Sequence, residues 1–178
     1  SFYSNQGRYA EAKPLYKRAM AIKEKIFGPD HTEVALVLNN LAYLYNNQGR
    51  YTEAEPLYKK SLTIYEKAFG TEHPNVATSL NNLGLLYNKQ GRFDEAEPLY
   101  KRSLAMREKI FGPNHPEVSL GLNNLAFLYT NQGRYSEADA LFQRSLKINE
   151  KVFGTEHPNF ALNLNNLAVL YTKLGRYA

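Results

Sequence analysis

Apolar side chains at Leu38, Leu41, Ala42 and Tyr45 follow the i, i+3, i+4, i+7 spacing of a helix with one buried face. The pattern recurs along the chain and predicts first helices at about 34–47, 76–89, 118–131 and 160–173. Gly49 follows the first of these, where a left-handed residue suits a helix stop. A second stripe, Ala54, Leu57, Tyr58, Ser61, Leu62 and Tyr65, predicts a second helix. It opens near Thr52, and its copies near Asp94 and Ser136. Thr52 and Glu55 have capping-box spacing, and Asp94 with Glu97 is a close relative. The helix ends at Gly70, with Lys67 in its last turn where the dipole favours a cation. The link "FGTEHPNVA" restarts the pattern, with Pro74 suited to the first position of the next helix. Pro14, Pro56 and Pro98 lie about four residues into the second helices. Either the helix begins at the proline or its first turn is irregular, because proline lacks a backbone donor. Ala140 replaces it in the next copy, so the proline is not required.

The two-helix pattern has a fixed period. Gly7, Gly49, Gly91, Gly133 and Gly175 are each 42 residues apart, as are His31, His73, His115 and His157. This divides the chain into full repeats at 34–75, 76–117 and 118–159, flanked by partial repeats at 1–33 and 160–178. One helix pair cannot bury its apolar faces alone, whereas stacked pairs share a continuous core. The expectation is a single all-α repeat array.

The residues Leu38, Leu41, Ala42, Tyr45, Ala54 and Tyr58 resemble the tetratricopeptide-repeat signature. Gly84 stands where that family often has glycine. Ser61, Ser103 and Ser145 replace its usual alanine, and as small residues they suit a close helix contact. The usual period is about 34 residues. The longer unit here, with "LNNLAxLY", "QGRYxEAEPLYKRSL" and "EKxFGxxHPxVA", is similar to the repeats of kinesin light chains and their prokaryotic look-alikes. The resemblance covers nearly the whole chain. It implies a right-handed superhelical solenoid of antiparallel helix pairs whose first helices line a concave groove. The heptad segment by which light chains join their motor does not occur in these residues, so motor association is not supported.

Each first helix carries two adjacent asparagines, although asparagine is a mediocre helix former. With Leu38, Leu41 and Tyr45 facing the core, Asn39, Tyr43 and Asn46 fall on an adjacent face, with Asn40 and Asn47 near them. Stacked helices lie ~8–10 Å apart, so equivalent asparagines should form a ladder. A carboxamide both donates and accepts, which suits an extended peptide backbone. The resemblance implies that the second member of each pair, Asn40, Asn82, Asn124 and Asn166, clamps a bound peptide. The first members, Asn39, Asn81, Asn123 and Asn165, either join that face or bond across to a neighbouring helix. Tyr43, Leu85, Phe127 and Val169 are candidates for reading peptide side chains. Asn88, Lys89 and Arg107 complete the expected groove, Arg107 because it stands where light chains have a basic groove residue. Lys23 shares that position, but Tyr65 and Asn149 do not keep the charge. Tyr45, Tyr87, Tyr129 and Tyr58 read as core.

Composition narrows the function. The chain has 178 residues, 43% hydrophobic and 22% charged, with no cysteine and a formal net charge of +5. The segments 52–69, 94–111 and 136–153 each balance to zero. The turn arginines Arg8, Arg50, Arg92, Arg134 and Arg176 are offset by loop acids, and the surplus lies in 11–25 and at Lys89 and Lys173. No continuous basic stripe results, which disfavours nucleic acid. No apolar run is long enough for a membrane helix, and the expected setting is cytoplasmic.

One histidine per repeat, about 10 Å from the next, does not converge on a metal that needs ligands at ~2 Å. A turn-stabilising role is expected of each. No phosphate loop, dinucleotide fingerprint or HExxH is present, and neither enzyme activity nor a cofactor is expected. The acids Glu53 and Glu55 read as first-turn dipole partners.

The leading expectation is a scaffold binding an extended peptide of a protein partner. A rigid spacer or oligomerisation module in a larger protein is the alternative, and RNA binding stands third. The chain begins and stops within a repeat, which reads as a piece of a longer array. The face of 160–173 then lacks the partner that segment 10–27 of a second molecule could supply, which leads to an expectation of head-to-tail self-association.

Overall fold

The computed structural model describes the backbone of residues 2–175 and the side chains of Tyr9 and of 11–175. The side chain of Arg8 and all of Arg176, counted above in the charge balance, lie outside the described residues. Eight helices and no strand occur among the described residues: α1 Phe2–Phe27, α2 Thr32–Asn47, α3 Tyr51–Phe69, α4 Pro74–Lys89, α5 Phe93–Phe111, α6 Pro116–Asn131, α7 Tyr135–Phe153 and α8 Pro158–Lys173. They form two compact units, Ser1–Gln90 and Gly91–Ala178.

In the first unit α2 and α3 form the tightest pair, flanked by α1 on α2 and by α4 on α3. Leu38, Tyr58, Leu80 and Leu86 are fully enclosed there. In the second unit α6 and α7 pair, with α5 on α6 and α8 on α7. Tyr100, Leu122, Phe142 and Leu170 fill that core. Each such side chain contributes roughly 1.5–3 kcal/mol relative to exposure, so the interlocked stripes hold each unit together.

The turns follow from the repeated residues. Asn46 and Tyr45 carbonyls accept from the Gly49 and Arg50 amides at 3.1 and 2.9 Å, a Schellman motif. Gly49 has φ +73, which an L side chain resists. In the links His31, His73, His115 and His157 cap the next helix. The His115 Nδ1 accepts from the Glu117 amide at 3.2 Å, and the ring stacks on Phe111 at 4.8 Å. The expected turn-stabilising role of the histidines is therefore a cap plus a stacked ring. Pro74, Pro116 and Pro158 each open a first helix, where no donor is needed.

Three local expectations change. The first helices begin two residues earlier than the apolar pattern suggests, because the histidine cap rather than the first apolar residue starts them. The Thr52–Glu55 capping box does not form. The Ncap residue is Arg50, without a side-chain cap, and Arg50 instead pairs with Glu53 three residues on. Its counterparts are Arg92 with Glu95 and Arg134 with Glu137. The prolines neither start the helix nor break it. Pro56 and Pro98 lie inside continuous helices, and the carbonyl Pro56 leaves without a donor belongs to exposed Thr52, where water can serve it.

At the chain start, α1 runs unbroken through Gly7 where the period predicts a turn.

Candidate peptide-binding faces of the first helices

The core-facing stripe of each first helix leaves a second stripe on the opposite side. On α2 it is Leu36, Asn40, Tyr43 and Asn47, of which Leu36 and Tyr43 are half exposed and Asn40 is half-buried. On α4 the same positions hold Thr78, Asn82, Leu85 and Lys89. In the second unit α6 presents Leu120, Asn124, Phe127 and Asn131, and α8 presents Leu162 and Val169 around a buried Asn166. The stripe alternates apolar and amide groups at helical spacing. Of the expected groove residues, Tyr43, Lys89, Phe127 and Val169 are exposed, and Asn40, Asn82, Leu85 and Asn124 are half-buried. Sequence reasoning missed Leu36, Leu120 and Leu162, although their i−4 spacing from the second asparagines was a readable signal.

The paired asparagines meet as a ladder within each unit. Asn82 Nδ2 donates to Asn39 Oδ1 at 3.1 Å, and Asn166 Nδ2 donates to Asn123 Oδ1 at 3.4 Å. The second member of one repeat therefore grips the first member of the repeat before it. Each of these amides keeps one N–H beyond the ladder bond. The first members act mainly as acceptors of that bond. Asn81 and Asn123 are buried, and Asn123 also donates to Asn163 Oδ1 at 3.3 Å.

Several expected groove residues are enclosed rather than open: Asn81, Asn123 and Asn166, and with them Asn46 and Arg107. Asn46 is 1% exposed and packs beside the Tyr58 hydroxyl inside the α2–α3 pair. Its amide makes no hydrogen bond of good geometry with the protein. The register that places Asn46 beside Asn39 on a helical wheel carries it to the α3 side, because residue 46 lies one turn after core residue Ala42. Its counterpart Asn88 is half-buried rather than open. Where the third repeat replaces the asparagine by Thr130, the tyrosine opposite becomes Phe142, and Thr130 bonds its own helix at Ala126 O. The polar group and its partner are thus lost together.

Arg107 is likewise not a groove cation. It is 3% exposed, and burial pushes its guanidinium pKa down. It pairs with Glu117 in the first turn of α6. Gly121 makes room for its stem: a Cβ there would stand 3.1 Å from Leu104 and 3.6 Å from Arg107 Cδ. Lys23 makes the same pairing with Glu33. The charge at this position is therefore matched by an acid ten residues later, and Asn149, where charge is lost, bonds to Asn159 O instead at 3.4 Å.

Polar bonds of a second class join successive repeats. Tyr87 OH donates to Glu55 at 2.9 Å, Tyr129 OH to Glu97 at 3.1 Å, and Tyr171 OH to Asp139 at 2.8 Å. These acids accept from the next first helix, which is more than the dipole role read from sequence. The recurring serines are indeed at close contacts: Ser61 Oγ donates to Ala35 O at 2.8 Å, and Ser145 Oγ lies 2.7 Å from Ser119 Oγ. Among the described residues no group of three or more His, Asp or Glu side chains is placed to hold a metal. No described helix is long and apolar enough to cross a membrane.

The chain is similar to known helical arrays. Among solved structures, BtubC (BKLC) from P. vanneervenii superposes with a TM-score of 0.83 at 26% identity, over 97% of this chain and 69% of that one. A putative kinesin light chain of Podosopora anserina, with nearly identical TPR-like repeats, superposes at 0.79 with 28% identity, over 98% of this chain and 82% of that one. A second crystal structure of that protein, a point-substituted form, gives 0.81 over the same shares. No curated protein sequence matches the chain. The sequence profile of the tetratricopeptide repeat matches residues 1–45, 33–109, 83–138 and 117–178. With its unbroken 42-residue period and all-helical repeat fold, the chain belongs to the tetratricopeptide-repeat family, as an array of the kinesin-light-chain-like kind.

Proposed function

We propose that the exposed first-helix faces bind an extended peptide segment of a partner protein. Tetratricopeptide arrays are in general protein-interaction scaffolds and in general do not catalyse reactions. The observation that carries the finer reading is the repeated stripe of apolar, amide and apolar side chains, Leu36–Asn40–Tyr43 and Leu120–Asn124–Phe127. Exposed apolar groups one turn apart on the same helix face add up to the kind of patch that marks interaction sites. The amides between them match the donors and acceptors that an extended backbone cannot satisfy internally. Lys89 and Lys173 are the cations in the described first helices, so the faces make no strong demand for an acidic partner.

A random peptide library selected on the chain tests this. Wild type should return a consensus, and Tyr43→Ala combined with Asn40→Ala should weaken the consensus peptide by at least about tenfold while melting stays cooperative. Equal binding by wild type and variant would remove these residues from the site.

A second reading concerns the outer helices. Ile22 on α1 is 49% exposed, whereas its counterpart Ile64 is 2%. Leu164 on α8 is 47% exposed, whereas Leu122 is fully enclosed. The bare face of α8 is the one that α2 and α6 give to their second helices, and α1 is a second helix by register. We propose that α8 of one molecule can take α1 of another and so complete a repeat.

A further inference from the structure

In the second unit a pocket of about 100 Å³ opens where α6, α7 and α8 meet. Leu120 and Leu162 wall it, and Asn123, Asn149, Asn159 and Asn163 supply its polar lining. No charged side chain borders it. A space of this size holds several waters or one short side chain.

The lining differs from the matching positions of the first unit, most in bulk at Asn149. In the first unit the position of Asn149 is taken by Tyr65, which is buried and reaches toward Glu33. A phenol ring takes more room there than the carboxamide does here. Other lining positions differ as well: Pro116, Ser119, Leu162 and Asn163 stand where the first unit has Thr32, Ala35, Thr78 and Ser79.

The polar lining is held in a fixed orientation. Asn149 Nδ2 donates both to Asn159 O, at 3.4 Å, and to Asn163 Oδ1, at 3.2 Å. Asn163 Nδ2 donates to Ser145 Oγ at 2.7 Å, and its Oδ1 also accepts from Asn123. A backbone carbonyl can only accept, so the Asn149 amide cannot be turned round. Its Oδ1 receives no hydrogen bond from the described residues. The exposed Asn159 carboxamide at the rim both donates and accepts. The pocket therefore offers a fixed acceptor, an adaptable amide and apolar walls.

We propose that this pocket is a specificity subsite for an uncharged, hydrogen-bond-donating side chain, a carboxamide or a hydroxyl, of the peptide bound along α6 and α8. This rests on the peptide-binding reading above. A carboxylate would bring a lone pair against the Asn149 oxygen with no cation to meet it. A lysine would bury its charge without a counter-ion, which is costly. A large apolar side chain would leave the amide oxygen unpaired.

The test is a random peptide library selected in parallel on the full 178-residue chain, on Asn149→Tyr and on Asn159→Asp. Asn149→Tyr installs the first unit's residue and fills the pocket. Asn159→Asp changes only an exposed rim residue in the first turn of α8, so it leaves folding intact. Wild type should return a consensus with Asn, Gln, Ser or Thr fixed at one position. Asn149→Tyr should lose that preference alone and bind the wild-type consensus peptide about tenfold more weakly. Asn159→Asp should shift the same position toward Lys or Arg. A wild-type consensus without such a position, or one unchanged in both variants, overturns the subsite and leaves the peptide-binding face standing. No consensus on wild type at all overturns both.

Discussion

At His115 a single side chain does two jobs in one link: Nδ1 caps α6, and the ring lies on Phe111. The same pairing occurs at Phe27–His31, Phe69–His73 and Phe153–His157. His115→Ala removes an N-cap acceptor and a stacked ring together and should cost about 1–2 kcal/mol. His115→Asn keeps a capping oxygen and should recover about half of that loss, read from the urea unfolding midpoint. Equal losses in both variants would mean that the ring, not the cap, holds the link. The histidine role was legible in sequence because one residue per repeat, in a fixed loop position, can only act locally. The location of Asn46 was not. A helical wheel places it within a turn of the exposed stripe, and only the position of α3 decides which neighbour of that stripe is covered.

Between elements, Glu97 joins three separate segments of the second unit. It accepts from Lys101 at 2.7 Å on its own helix, from Tyr129 OH on α6, and from Arg134 at 2.7 Å in the turn before α7. Burial acts to raise its pKa, but the hydrogen bonds from Lys101, Arg134 and Tyr129 outweigh that and hold it at about 2. The folded value lies below the ordinary carboxylate value, so the stabilisation is present above about pH 4.5 and is lost as pH falls toward 2. Glu97→Gln should therefore destabilise the chain at neutral pH and flatten the fall in melting temperature over that acid range. A fall as steep as that of wild type would place the acid sensitivity elsewhere. Sequence showed the acid and its i+4 lysine. It did not show Tyr129 and Arg134, which are 32 and 37 residues away and meet Glu97 only after the helices pack. Arg107 was misread for a related reason: a lone cation in a pattern looks available until its acid, ten residues on, is folded against it.

For the whole chain, the proposed association of α8 with α1 of a second molecule predicts concentration-dependent growth. Sedimentation velocity of the wild-type chain should show species larger than the monomer at high concentration, and Leu164→Lys should abolish them. Leu164 is half exposed in the isolated chain, so a lysine there is tolerated by the monomer. A monomer at every concentration would end this reading without touching the peptide-binding faces. The sequence alone determined the period, the helix pairs, the family and the identity of most core positions. Those depend on local spacing that repeats every 42 residues, and a pattern repeated in register needs no coordinates to be read. Tertiary structure alone decided which polar side chains remain accessible. Asn46 and Arg107 are enclosed, Leu36 and Leu120 are left open, and a pocket lies beside Asn149. Burial of a polar group is a property of what packs over it, and that neighbour lies a repeat away in sequence.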